Sequence, residues 1–163
     1  MSKIEVMSED LANKIAAGEV VEKTMNVVKE LVENSIDAKA TEIKINLIDS
    51  GVKEITVIDD GVGMDKDDAV LAFSRHATSK LKTIEDLFYI NSLGFRGEAL
   101  PSIASVSLVN MKTSNGTVGT EVEIDGGVIK EVKNCDLKKG TRITVKNLFY
   151  NTPVRLKYLR NLY

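Results

Sequence analysis

Apolar residues recur along the chain with two periods, and these predict different elements. A spacing of three to four residues predicts a short helix from Ser8 to Gly18 and a longer helix from about Asn26 to Asp37. Strict alternation predicts two strands at residues 43–47 and 55–57, joined by the turn at Asp49-Ser50-Gly51. The first part of the chain is therefore expected to hold two helices followed by a hairpin.

The remaining pattern begins with helices and ends mainly in strands. Asp65, with Asp68 three residues later, resembles a capping box for a helix through Phe73, and a short helix is expected near Thr83 to Phe88. A further helix is predicted from Glu98 to Ser105, with Pro101 in its first turn. Strands are predicted at residues 107–113, 120–124, 128–132 and 141–145, and a last helix begins at Pro153.

This order of elements predicts an α+β fold. Helices early and strands late favour a two-layer sandwich of helices on one mostly antiparallel or mixed sheet. The turns Asn115-Gly116, Gly126-Gly127 and Lys139-Gly140 predict that the last four strands form an antiparallel meander. We see no internal repeat and no linker, so residues 1–163 are interpreted as one domain.

The composition is that of a folded globular protein with one sizeable core. The chain has 163 residues, of which 43% are hydrophobic and 28% charged. Its longest apolar run, at residues 69–73, is far below the ~20 residues that cross a bilayer, and the N-terminus does not resemble a signal sequence. We therefore expect a cytosolic protein without membrane contact.

Cysteine, histidine and charge limit the possible partners. Cys135 is the single cysteine and His76 the single histidine, so an intramolecular disulfide and a Cys/His zinc site are both excluded. The net charge of −2 gives no support for phosphate binding by the whole surface. Lys138-Lys139 with Arg142 forms a local basic patch that is also typical of a solvated turn.

The second helix carries a polar stripe with possible chemistry. Glu30, Asn34 and Asp37 are spaced i, i+4 and i+7, which places them on one face. Val28, Leu31, Val32 and Ser35 are predicted on the adjoining buried face. A carboxylate beside an amide suits a base that aligns water and an oxygen ligand for Mg²⁺, while the same spacing also occurs in solvated helix faces.

A D-x-G-x-G segment, Asp59 to Gly63, follows the predicted hairpin. Asp and Gly are typical of a turn with a helix cap. The functional alternative is that the glycines let the backbone approach a flat ligand while a carboxylate accepts a hydrogen bond from an exocyclic amine. The segment does not match G-x-G-x-x-G, because Lys66 occupies the third glycine position, and the chain contains no P-loop motif.

A third glycine-containing segment precedes the helix predicted at residue 98. Gly94-Phe95-Arg96-Gly97 leads into that helix, whose first N–H groups suit phosphate oxygens, although a flexible turn has the same composition. Thr78, Ser79 and Lys80 add hydroxyls and an ammonium just upstream.

Taken in order, these segments resemble the GHKL ATPases, the superfamily of gyrase B, the heat-shock chaperones, the histidine kinases and MutL. The resemblance to the MutL family spans almost the whole chain. It rests on five segments, at residues 15–21 (IAAGEVV), 29–34 (KELVEN), 75–80 (RHATSK), 94–100 (GFRGEAL) and 149–153 (FYNTP).

The resemblance implies a Mg²⁺-dependent ATPase of DNA mismatch repair. It gives Glu30 the role of activating water, Asn34 that of holding Mg²⁺ and Asp59 that of reading the adenine amine. Gly61 and Gly63 would line the base pocket, and Thr141 would support Asp59. Asp37 is included among the cofactor-binding residues, and the lid and phosphate loop, about residues 74–100, would contribute Thr78, Ser79, Lys80, Gly94, Phe95, Arg96 and Gly97.

The resemblance also implies partners. Residues 1–20 would be a dimerisation arm, and ATP-driven homodimerisation would engage MutS and other repair proteins. DNA would be bound through the full-length protein, weakly or not at all by this chain, and the protein would associate with the nucleoid during repair. A second domain that supplies a lysine to the γ-phosphate is expected to be absent, so hydrolysis should be weak.

Two features depart from the family pattern, and one alternative stays open. Lys23-Thr24-Met25 stands where relatives usually have Arg-Pro, and Asp60 stands where Asn is usual. The alternative is a nonenzymatic module that binds nucleotide or only a partner protein. A topoisomerase or chaperone fragment is disfavoured, because the MutL-like segments lie outside the residues that an ATP site needs.

Overall fold

The structure is a computed structural model that describes residue 8 and residues 21–74 and 99–162. Four helices lie in these ranges: α1 (Thr24–Asp37), α2 (Lys66–Leu71), α3 (Ala99–Ser105) and α4 (Pro153–Leu162). A turn of 3₁₀ helix spans Asp49–Gly51. Within the described ranges, no helix has the length and apolar character needed to span a membrane.

Six strands form one sheet beneath the helices. They are β1 (Ile43–Ile48), β2 (Glu54–Asp59), β3 (Leu108–Ser114), β4 (Gly119–Asp125), β5 (Val128–Cys135) and β6 (Gly140–Lys146). Their order in the sheet is β1-β2-β6-β3-β4-β5, and each neighbouring pair is antiparallel. The predicted α+β fold is therefore confirmed, with a purely antiparallel sheet among the described residues.

The core lies between the helices and one face of the sheet. Because side chains alternate between the two faces, register partners build continuous rows across the strands. One such row consists of Ile45, Val57, Ile143, Met111, Val122 and Val132. Its four central members are buried, together with Leu31 of α1 and Ile103 of α3.

The opposite face of the sheet is polar, and several of its charges are paired. Lys146 Nζ lies 3.6 Å from a Glu54 carboxylate oxygen on the neighbouring strand. The Asn110 side chain donates to Glu121 at 2.9 Å, and Lys112 lies beside the same carboxylate. The hydrogen bond from Asn110 and the nearby lysine charge hold the pKa of Glu121 below its usual value.

The predicted meander is wrong for its last strand. Strands β3, β4 and β5 do form a meander, but β6 crosses back to lie between β2 and β3. The resulting order, β6-β3-β4-β5, is a Greek key, closed by the four-residue connection 136–139. The physical reason is burial: β6 alternates buried Thr141, Ile143 and Val145, and the central position gives these residues apolar neighbours on both sides.

The helix predictions are confirmed where they fall within the described residues. Helix α1 begins at Thr24, two residues before the prediction, because Asn26 lies in its first turn and accepts the N–H group of Lys23 at 2.8 Å. Asp65 caps α2 by accepting the Asp68 N–H at 2.8 Å, although the helix ends at Leu71. Helix α4 begins at Pro153, as predicted.

Several predictions lie outside the described residues. These are, apart from Ser8, the helix from Ser8 to Gly18 and the arm at residues 1–20, together with the helix near Thr83 to Phe88 and nearly all of the lid at about residues 74–100. They stay predictions.

Candidate functional site

The helix-covered face of the sheet changes from apolar to polar at one end. There, register partners Asp59 (β2), Thr141 (β6), Thr113 (β3) and Thr120 (β4) replace the apolar residues of the preceding rows. We call these four residues the polar row. All three threonines are buried, so their hydroxyls must find partners within the protein or a ligand.

The Asp59 carboxylate is held from two directions. Its Oδ1 accepts the backbone N–H of Gly61 at 2.8 Å, and its Oδ2 accepts the hydroxyl of buried Ser35 at 2.7 Å. Ser35 belongs to α1, so this bond ties the helix to the end of β2. Each carboxylate oxygen retains a lone pair, because a carboxylate offers about four acceptor sites in total.

The segment from Gly61 to Met64 lies directly against β3. A Cβ atom on Gly63, which has a φ of +66°, would lie 1.8 Å from the carbonyl oxygen of Ser114. The Met64 N–H donates to Thr113 Oγ1 at 3.0 Å. Glycine at position 63 is therefore required by the close approach of two protein backbones.

Helix α1 forms one wall of a cavity that lies between this helix and the polar end of the sheet. Asn34 and Ser35 line the cavity beside Leu31, which is buried against the sheet. Glu30 is half-buried one helical turn before Asn34, about 6 Å along the axis. Asp37 is exposed near the C-terminal end of the helix, and neither it nor Glu30 lines the cavity.

The cavity between α1 and the sheet has a volume of about 340 Å³, within the range of small-molecule sites of about 300–1,000 Å³. Its lining is mainly apolar, and Asn34, Ser35, Asp59 and Thr141 supply polar groups. We call it the α1 pocket. A larger hollow of about 540 Å³ lies on the open face of the sheet and contains none of the predicted site residues.

The α1 pocket is lined by residues of α1, β2, the following loop, β6 and α3. Among the described residues, the lining consists of Leu31, Asn34, Ser35, Ala38, Val57, Asp59, Val62, Gly63, Met64, Ala72, Leu100, Thr141 and Ile143.

Of the predicted site residues, the structure brings Asn34, Asp59, Gly63 and Thr141 together around the α1 pocket. Gly61 contributes its N–H group to Asp59 rather than a surface of the cavity. The predicted residues Thr78, Ser79, Lys80, Gly94, Phe95, Arg96 and Gly97 lie outside the described part of the chain.

Two residues of the site, Ser35 and Thr113, were not predicted to have a role in it. Ser35 was predicted only as part of the buried face of α1, and Thr113 only as the end of a strand. The available signal was the pattern within strands: Ile55 and Val57 are followed by Asp59, and Val109 and Met111 are followed by Thr113. A polar residue at a position where alternation requires an apolar one marks a buried polar group.

Asp60, at the position where the resemblance predicts Asn, has a separate structural role. Its carboxylate accepts the N–H groups of Thr41 at 2.7 Å and Glu42 at 3.0 Å, as well as the Thr41 hydroxyl. These bonds lower the pKa of Asp60 from 3.8 to about 2, and the bond from the Thr41 hydroxyl has the largest effect. Asp60 thus fastens the start of β1 to the end of β2 next to Asp59.

The fold and site define the class of protein: an α+β domain with a ligand pocket between a helix and an antiparallel sheet, and with D-x-G-x-G at its polar end. Residues 22–151 match the family model described as histidine kinase-, DNA gyrase B-, and HSP90-like ATPase. The chain belongs to this ATPase family.

Within that family, the chain is similar to the DNA mismatch repair protein MutL. It is 57% identical to MutL of Geobacillus sp. (strain WCH70) over the whole chain, which corresponds to 26% of that relative. It is 54% identical to MutL of Shouchella clausii over 99% of the chain and 25% of the relative. The chain therefore spans about a quarter of the length of these relatives.

Solved structures agree with this assignment. The N-terminal domain of a DNA repair protein superimposes with a TM-score of 0.78 at 34% identity, over 96% of this chain and 46% of that one. The Aquifex aeolicus MutL ATPase domain complexed with ADP gives a TM-score of 0.63 at 32% identity, over 86% of this chain and 48% of that one.

Proposed function

We propose that the chain is the ATP-binding and slowly ATP-hydrolysing part of a MutL-type mismatch repair protein, with the nucleotide base in the α1 pocket. The observation that carries this proposal is Asp59, a carboxylate with free lone pairs at the polar end of a mainly apolar cavity. Such a cavity suits a flat aromatic ring that carries one hydrogen-bond donor, as adenine does. The ADP complex of the Aquifex relative supports the same ligand class.

Asp59 reads the adenine amine in this proposal. The bonds from Ser35 and from the Gly61 N–H fix the carboxylate before a ligand arrives, so little freedom is lost on binding. Thr141, its register partner on β6, supports it from the neighbouring strand. Gly63 forms one side of the base pocket, and Gly61 acts through its hydrogen bond to Asp59.

Mg²⁺ would be held by Asn34 together with phosphate oxygens and water. The donor set fits this role, because Asn34 lines the pocket and carries an amide oxygen, and Mg²⁺ commonly binds few protein ligands. Among the described residues, no cluster of three acidic, histidine or cysteine side chains could hold a metal alone. The ion would neutralise phosphate charge, and Asp37, a turn beyond Asn34, is retained as a weaker cofactor-binding candidate.

Glu30 is the proposed general base. It precedes Asn34 by one helical turn, so a base and a metal ligand lie on one rigid element. Thr78 to Lys80 and Gly94 to Gly97 are proposed to close over the phosphates as lid and phosphate loop. Residues 1–163 correspond to about a quarter of the MutL relatives. Because the resemblance implies that a second domain supplies a lysine to the γ-phosphate, we expect residues 1–163 alone to hydrolyse ATP weakly.

The proposal extends to the longer protein of which the relatives are examples. Residues 1–20 would serve as the dimerisation arm, and ATP binding would lead to a homodimer that engages MutS and other mismatch repair proteins. Such a protein would act in the cytoplasm, associated with the nucleoid during repair, and would contact DNA mainly through regions outside this chain.

A calorimetric titration with a nonhydrolysable ATP analogue and Mg²⁺ tests the binding site. We expect one-to-one binding that Asp59→Ala weakens by at least about 100-fold, because a fixed acceptor at the base is lost. Asp136→Ala, which removes an exposed carboxylate outside the α1 pocket, should bind like the wild type. Equal losses in both variants, or no binding by the folded wild type, would refute the proposed site.

Turnover distinguishes the enzyme from a nonenzymatic module. Glu30→Ala should keep the analogue affinity but lower the hydrolysis rate by about 100-fold or more, as expected for a lost general base. Glu33→Ala removes a neighbouring carboxylate of α1, whose ion pair with Lys29 is 3.9 Å long, and should hydrolyse ATP at the wild-type rate. If neither binding nor turnover responds to Glu30→Ala, the catalytic assignment is wrong.

A further inference from the structure

Thr113 occupies the centre of the polar row but does not line the α1 pocket. It is fully buried on β3, and its hydroxyl oxygen lies within hydrogen-bond distance of three groups. These are the Met64 N–H at 3.0 Å, the Thr141 hydroxyl at 2.8 Å and the Gly140 carbonyl oxygen at 3.3 Å. Through these contacts a single hydroxyl joins the loop after β2 to the start of β6.

The donors and acceptors in this cluster allow one arrangement that uses all three contacts. A threonine hydroxyl has one proton and two lone pairs. The Met64 N–H can only donate and therefore uses one lone pair of Thr113, while the Gly140 carbonyl can only accept and therefore takes the Thr113 proton. The remaining lone pair of Thr113 must then accept the proton of Thr141.

This arrangement fixes the direction of the hydroxyl hydrogen bond of Thr141, which does line the pocket. Because the Thr141 proton points to Thr113, only the lone pairs of Thr141 are left for a ligand. Asp59, its register partner, presents carboxylate oxygens, which also only accept. The polar end of the α1 pocket thus offers acceptors and no hydroxyl donor from this pair.

We infer that Thr113 is a specificity-determining positioning residue, which orients the Thr141 hydroxyl so that the pocket selects 6-aminopurines over 6-oxopurines. The inference rests on the proposed nucleotide site and adds the source of its base selectivity. The amine of adenine donates to this acceptor pair, whereas hypoxanthine carries a 6-oxo group, a third acceptor, in the same place. Its N1–H donor lies at the neighbouring ring position, so it does not replace the amine. Without Thr113, the Thr141 hydroxyl can rotate and donate to that oxo group.

The test compares ADP with inosine 5′-diphosphate, which carries a 6-oxo group in place of the amine, by calorimetry with Mg²⁺ on the whole chain. We expect the wild type to prefer ADP. Thr113→Val keeps the shape of the side chain. It should reduce the ratio of the dissociation constant of inosine 5′-diphosphate to that of ADP by about tenfold or more. Thr113→Ser keeps the hydroxyl and should stay within about threefold of the wild-type ratio.

Thr120→Val is the matched control. Thr120 is also buried in the polar row, next to Thr113 on β4, but no described contact joins its hydroxyl to Thr141. This variant should leave the selectivity ratio unchanged, even if it lowers stability. Thr141→Val should reduce the ratio as Thr113→Val does, and it serves as the test if Thr113→Val does not fold.

The outcomes separate this inference from the proposed function. If Thr113→Val weakens both nucleotides equally, Thr113 is only structural and the inference is wrong, while the nucleotide site stands. An unchanged ratio in folded Thr141→Val likewise overturns it. If the wild type binds neither nucleotide, the proposed site itself fails and the inference fails with it.

Discussion

At the scale of single residues, Asp60 links stability to pH. Its carboxylate accepts hydrogen bonds from Thr41 and Glu42, which lower its pKa from 3.8 to about 2. A carboxyl with a lowered pKa in the folded state stabilises the protein above its unfolded pKa, and this contribution is lost as the pH falls toward the folded pKa. The contribution of Asp60 should therefore be complete above about pH 4 and disappear toward pH 2.

Urea unfolding at pH 7, 4 and 2.5 measures this effect. Asp60→Asn removes the titrating group, so its stability should fall less steeply than that of the wild type between pH 4 and 2.5. Asp60→Ala, which also removes the acceptors, should be less stable than Asp60→Asn at pH 7. Asp67→Asn, at an exposed position in α2, should keep the wild-type pH dependence. Parallel curves for wild type and Asp60→Asn would contradict the assignment.

Gly63 and Gly116 both have a positive φ, but a Cβ atom would meet a close steric contact only at Gly63. Comparing substitutions at these two positions distinguishes the cost of the backbone conformation from the cost of the contact. A Cβ at Gly63 would lie 1.8 Å from Ser114 O, whereas a Cβ at Gly116, with a φ of +105°, would meet nothing within 4 Å. Gly116→Ala should lower the free energy of unfolding by about 1–2 kcal/mol, the cost of the backbone conformation. Gly63→Ala should lower it by more than about 3 kcal/mol, because the loop must also move. Equal losses in urea unfolding would contradict this close approach.

At the scale of elements, α1 attaches the candidate catalytic residues to the sheet through its buried side. Leu31 is 1% exposed and packs in the core, whereas Met25 on the same helix is 64% exposed. Leu31→Ala should lower the free energy of unfolding by about 2–5 kcal/mol and weaken nucleotide binding, because Leu31 also lines the α1 pocket. Met25→Ala should cost less than about 0.5 kcal/mol in the same urea titration.

The elements also show what the sequence can predict. The four predicted late strands match the observed ones within one to three residues at each end, because alternation is a local property of a half-buried strand. The order of the strands is not local. Nothing in residues 141–145 specifies that Thr141 pairs with Asp59 rather than with β5, so the Greek key could not be read from the pattern.

The same distinction applies to the site. Asp59, Gly63 and Asn34 were predicted because they belong to short segments with recognisable spacing. Thr113 was missed because its role arises only when β6 inserts beside β3 and brings Thr141 within 2.8 Å. Ser35 was missed because its partner Asp59 lies 24 residues further along the chain.

At the scale of the whole molecule, the α1 pocket joins two parts of the chain. Its lining comes from residues 31–72, the first part, and from residues 100–143, the second part. Strand β6 of the second part pairs with β2 of the first part. A ligand in the pocket therefore contacts both parts at once. Because binding to the folded state alone stabilises the fold by mass action, the whole domain should gain stability in one transition.

Urea unfolding with ADP and Mg²⁺ tests this coupling. At a ligand concentration of about 100 times the dissociation constant, the free energy of unfolding should rise by about 2.7 kcal/mol. Glu30→Ala should keep this gain, since Glu30 is proposed to act in hydrolysis, whereas Asp59→Ala should lose it, since Asp59 is proposed to bind the base. Two transitions of which only one responds to ADP would show that the two parts fold independently. A gain retained in Asp59→Ala would place the nucleotide elsewhere, because Asp59 is the carboxylate that lines the α1 pocket within the described part of the chain.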